Sequence, residues 1–127
     1  MKLLRTTMAL NSLSCLIFGI LFVAASDSVN SFIGNSVTWL IPVVGVVLIF
    51  NGCHLLLACK REKPICPEIL YFVVGDIAWV VISVILIILG IVITSSQGIV
   101  ASLLIAVMVG LFGVLQVVGY KNLCIKN

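Results

Sequence analysis

Four apolar stretches, Thr6 to Ala25, Ser36 to Cys59, Glu68 to Thr94 and Gly98 to Tyr120, take up most of this 127-residue chain. Each is long enough to cross the hydrocarbon core of a bilayer, which takes about 20 residues of helix. Hydrocarbon offers the backbone no hydrogen-bond partner, so the crossing segments are expected to be helices. Composition agrees: 63% of residues are hydrophobic and 9% charged, against roughly half and a quarter in soluble domains. The expected fold is all-α, a polytopic membrane protein with four transmembrane helices in an antiparallel up-down bundle, residues 1–127 forming a single domain. No length is left over for a soluble catalytic domain.

Polar punctuation separates the stretches. SDSVNSFIGNS lies between the first two and KREKPICP, with two prolines, between the second and third; both read as loops. The third connection, TSSQG, is short enough for a helical hairpin, and Gly98 stands where the chain is expected to turn.

All seven Lys and Arg flank the same side of these segments. Lys2 and Arg5 precede the first, Lys60, Arg61 and Lys63 join the second to the third, and Lys121 and Lys126 follow the fourth. The positive-inside rule therefore places both termini and the central loop in the cytoplasm. The net charge of +3 reports this topology and a weak pull toward anionic headgroups. So small and divided a basic set builds no phosphate-tracking surface, which excludes nucleic acid as a partner. The bilayer is the expected partner, with a second copy or another membrane protein as further candidates.

The first 26 residues also have the basic start, apolar stretch and small-residue end of a secretory signal. Their apolar run is longer than an ordinary signal core, and cleavage would leave an odd number of spans. The first segment is expected to stay in the bundle.

Cys59, Cys66 and Cys124 fall at or beyond the cytoplasmic boundary on this topology, where thiols stay reduced, so no disulfide is expected. Cys53, His54, Cys59 and Cys66 lack the spacings that put ligands on one helix face, and no metal site is expected. His54 is the only histidine, which excludes bis-histidine haem within one chain, and no cofactor is expected.

Asp76, in YFVVGDIAWVV, is a carboxylate inside a span. On insertion scales such a charge costs about 2.5–3.5 kcal/mol at a helix centre, so it needs a partner, a proton or a task. Depth can be counted from the nearest flank on the basic side. Asn11 lies six residues past Arg5, Asn51 nine before Lys60, His54 six before Lys60, Asp76 nine after Pro67 and Gln116 five before Lys121. At 1.5 Å per residue all five fall roughly 7–14 Å inside the boundary, in one layer to which every segment contributes. Trp79, one turn deeper than Asp76, sits too far in for an interfacial belt and is placed to cover the carboxylate.

Three readings of the layer follow. It joins the helices by hydrogen bonds; or it lines a vestibule in which Asp76 serves as the protonatable or cation-binding group of a small transporter; or Asp76 meets a partner subunit. In the fourth segment Ala106, Gly110, Gly113 and Gly119 make a small-residue seam suited to close packing.

Asn11, Gly75-Asp76-x-x-Trp79 and Gln116-x-x-Gly119-x-Lys121 together resemble small bacterial four-helix membrane proteins of uncharacterised function. The resemblance implies a bacterial inner-membrane setting with Asn11, Asp76, Trp79 and Gln116 as focal residues, and it implies no activity. Zincin, nucleophile-elbow and phosphate-loop patterns are all missing. The sequence thus points to a structural or interaction component without catalysis, with transport through Asp76 as the alternative.

Overall fold

The computed structural model describes residues 2–35 and 37–125. Ser36, expected to open the second segment, and Lys126, one of the flanking cations, lie outside them. The described chain is all helical: α1 Lys2–Ala24, α2 Ser26–Ile33, α3 Leu40–Cys59, α4 Cys66–Leu89 and α5 Ser96–Tyr120, followed by one π-type turn over Lys121–Ile125. Four helices are long and apolar enough to cross a membrane: α1, α3, α4, and α5 with its terminal turn.

Residues expected to form a loop make the short helix α2, whose Gly34 adopts φ 78° and ends it by donating its N–H to the Asn30 carbonyl. The left-handed conformation costs glycine nothing, which suits this cap. Helix α4 stops at Leu89, short of Thr94, because Gly90 caps it at φ 68°. The turn therefore falls at Gly90 to Val92 and not at Gly98. Val92 is held at φ 64°, with Ile93 donating to the Ile91 carbonyl, a γ-turn geometry that strains a β-branched residue. Gly98 lies in the first turn of α5, where the Ser95 hydroxyl accepts its N–H at 3.0 Å.

Packing pairs α1 with α3 and α4 with α5, and α1 touches α5 to join the pairs. Glycine sets the closeness of the first pair. A methyl group at Gly19 would lie 2.8 Å from the Gly45 carbonyl oxygen, and one at Gly45 would lie 2.8 Å from that of Gly19. Leu4 fills the space that Gly119 leaves between α1 and α5.

At the basic end Leu4, Met8, Leu55, Ala58, Ile69, Phe72 and Val73 form one buried cluster drawn from α1, α3 and α4. Arg5 secures it from outside, donating to the carbonyls of Arg61 at 2.6 Å and Glu62 at 2.7 Å. At the other end the loop before α5 clasps α2: Thr94 and Ser95 donate backbone N–H groups to the Ile33 carbonyl, and the Ser95 hydroxyl donates to the Phe32 carbonyl. These bonds satisfy carbonyls that the end of α2 would otherwise leave without partners.

Cys66 and Cys124 are joined in a disulfide, with Cα atoms 6.1 Å apart. This corrects the expectation of free thiols at this end. Cys66 opens α4 and Cys124 follows α5, so the antiparallel pairing of those helices brings together two residues 58 positions apart. Cys15, Cys53 and Cys59 are free.

Candidate functional site

Asp76 is the centre of the polar layer. It is 6% exposed, and its partners Asn11 and Gln116 are 2% and 0% exposed. Asn11 Nδ2 donates to both carboxylate oxygens, at 3.2 and 3.1 Å, and Gln116 Nε2 donates to Oδ2 at 2.7 Å. Helices α1, α4 and α5 are thereby tied at one point.

The local sequence explains how the three groups meet. Gly113 lies one turn before Gln116 on α5, and a Cβ there would stand 3.4 Å from the Asp76 Cβ. That is ordinary van der Waals distance, so Gly113 places α5 directly against the carboxylate-bearing turn of α4. Asn11 lies one turn from Met8 and four residues before Cys15, whose thiol donates to Asn11 Oδ1 at 3.7 Å. Asn51 of α3 joins at the edge, its Nδ2 lying 3.5 Å from the same sulfur.

His54 belongs to a different group. Its Nε2 lies 2.7 Å from Glu68 Oε2, and Arg61 Nη1 donates to Glu68 Oε1 at 2.7 Å. The His54 ring packs edge-on against Phe72, with centroids 4.8 Å apart. Equal depth thus brought together two clusters that the structure separates by partner. Glu68 was missed because it was read as the boundary of a span. Its signal was its place one residue after Pro67, in the first turn of α4, where an acidic side chain complements the helix dipole. Ser12 was also missed; its hydroxyl donates to the Gly52 carbonyl at 2.7 Å and ties α1 to α3.

Trp79 is half-buried and lines the wall of a cleft between α3 and α4 without a hydrogen bond to Asp76. The cleft measures about 1120 Å³, a little above the roughly 300–1,000 Å³ of ordinary ligand pockets. It exists because α3 and α4, although consecutive, pair with different helices and do not pack along their length. Asn11, Asn51, His54, Tyr71 and Asp76 line its polar end; Ser83 and Ser102 are among the few polar residues elsewhere on an apolar wall. A second cavity of about 330 Å³ lies between α4 and α5, bounded by Asp76, Val80, Gly110 and Gly113. Asp76 stands between the two spaces.

Among the described residues no three His, Cys, Asp or Glu side chains are grouped as a metal site. Comparison with family models, with curated proteins and with solved structures returns no match.

Proposed function

We propose that this protein is a non-catalytic integral membrane component, a four-span up-down bundle whose Asn11–Asp76–Gln116 cluster fixes the arrangement of its helices. The observation that carries the reading is the convergence of amides from α1 and α5 on one buried carboxylate of α4. Interhelical hydrogen bonds of this kind contribute on the order of 0.6–2 kcal/mol each in a bilayer and select one packing among several apolar alternatives. The clustering of Lys and Arg at one end supports a topology with the termini and the α3–α4 loop in the cytoplasm. The sequence resemblance supports a bacterial inner membrane. In this setting the protein works through contacts with lipid, a second copy or another membrane protein.

Transport is the second reading, because Asp76 lines a cleft and takes no part in the ion pairs among the described residues. Proteoliposomes containing purified protein separate the two. The structural reading expects proton and potassium flux at the level of protein-free vesicles. A gradient-driven flux that Asp76→Asn abolishes while the fold survives overturns it.

A further inference from the structure

The α3–α4 cleft is roofed at the end away from the basic residues and open at its side. At the basic end it is bordered by Asn51, His54, Tyr71 and Asp76. At the other end Val29, Phe32 and Ile33 of the α2 region and Val92 and Ile93 of the clasping loop roof it. The residues of its side walls are accessible: Val43, Val47 and Phe50 on α3 are 50%, 61% and 73% exposed, and Val74 and Ile82 on α4 are 63% and 55%. For a chain embedded in a bilayer, access through such an opening is from the hydrocarbon. A spanning helix from another protein would have to pass this roof, so the shape suits a smaller occupant.

Two observations show what that occupant carries. Asp76 has amide donors around it but no ion-pair partner among the described residues. Asn51 uses its Nδ2 on the Cys15 sulfur, and its carbonyl oxygen receives no hydrogen bond among the described residues. The unfilled capacity at the polar end is acceptor capacity next to a carboxylate, and it calls for a cationic donor. His54, the other titratable group on this wall with Tyr71 and Cys15, is already engaged by Glu68. The second observation is Gly75, which borders Asp76 and lines the same cleft. A Cβ there would meet nothing within 4 Å, although a glycine in a helix interior costs about 1 kcal/mol relative to alanine. No packing within the chain requires it, and its missing side chain opens the cleft beside the carboxylate.

We propose that the α3–α4 cleft binds a lipophilic amine taken up from the bilayer, its ammonium group held by Asp76 and Asn51 and its apolar body lying along Val47, Trp79 and Ile82. This goes beyond the scaffold role and requires no flux. The same head chemistry occurs in free amphiphilic amines and in aminophospholipids, and the test distinguishes these sources.

The experiment uses full-length protein carrying Trp39→Phe, which leaves Trp79 as the only tryptophan, in phosphatidylcholine nanodiscs titrated with dodecylamine or dodecanol. Trp79 fluorescence is expected to change saturably with the amine, at a mole fraction on the order of ten-fold lower than with the alcohol. Asp76→Asn is expected to remove most of that preference. Gly75→Phe, which fills open space and meets no neighbour at its Cβ, is expected to abolish saturable binding while the protein stays helical and monodisperse. Competition by phosphatidylethanolamine in the disc assigns the site to a lipid headgroup, and its failure to compete assigns it to free amines. Equal responses to amine and alcohol, or unaltered binding by Gly75→Phe, overturn the proposal. The Gly75 variant and the comparison of amine with alcohol decide the matter even where Asp76→Asn fails to fold, and stability of the cluster is read separately by unfolding.

Discussion

Gln116 donates its side-chain amide to Asp76 at 2.7 Å while its own buried carbonyl oxygen accepts no hydrogen bond from the described residues. The pair is therefore asymmetric, with the amide donors of Asn11 and Gln116 both directed at the carboxylate. Replacing Asp76 by leucine removes the acceptor for both Asn11 and Gln116 and is expected to destabilise the bundle by about 1–3 kcal/mol. Asp76→Asn should cost less, because a rotated Gln116 amide can accept from the new side chain. Reversible unfolding in mixed micelles, followed by circular dichroism, measures both changes.

Three glycines should respond in opposite directions to alanine. Gly19→Ala and Gly45→Ala each place a methyl group 2.8 Å from a backbone oxygen of the facing helix. Neither backbone can yield without separating α1 from α3, and losses of about 1–3 kcal/mol are expected, as for an overpacked core. Gly75→Ala meets nothing and should be neutral or stabilising by up to about 1 kcal/mol through helix propensity. Thermal midpoints of the three variants in one detergent give the comparison.

Much of this architecture was legible in the sequence because long apolar runs are the strongest signal a chain can carry. Counting rise from the basic flank put Asn11, Asp76 and Gln116 at one depth, and the structure brings these three side chains into contact. Depth carries no azimuth, however, so the same count could not show that His54 turns to Glu68. Helix α2 was hidden because Ser, Asn and Gly are loop formers, and its stability comes from the carbonyl clasp at Thr94 and Ser95. The Cys66–Cys124 pairing needed the fold, since 58 residues separate its halves. The cleft was illegible for a related reason: it is the absence of packing between neighbours in the chain.

Glu68 holds His54 and Arg61 together at the basic end, its side chain 13% exposed against 42% and 39% for theirs. Glu68→Gln removes the charge both pairs depend on. Because the partners are partly exposed, the expected loss is small, about 0.5–1 kcal/mol, and should shrink at high salt. Limited proteolysis of the 60–65 loop is expected to accelerate in low salt and to converge with wild type as ionic strength rises.

The disulfide lies at the end that gathers the basic residues. Closing a separation of 58 residues stabilises the fold by about 4 kcal/mol in the chain-entropy account. Purified protein is expected to lose a comparable amount on reduction or in Cys66→Ser. If this end faces the cytoplasm, as proposed, alkylation of intact cells before lysis should trap Cys66 and Cys124 as thiols, with the bond forming after extraction into air. Recovery of the bonded form from alkylated cells would place the basic end in an oxidising compartment and reverse the proposed topology.

If the Asp76 cluster binds the helices to one another, a double-mutant cycle detects the coupling. Gln116→Ala, Asp76→Ala and the double variant, compared with wild type in reversible unfolding, isolate the interaction between α4 and α5. A coupling energy of about 0.5–2 kcal/mol is expected. Additive effects, with coupling near zero, would contradict it.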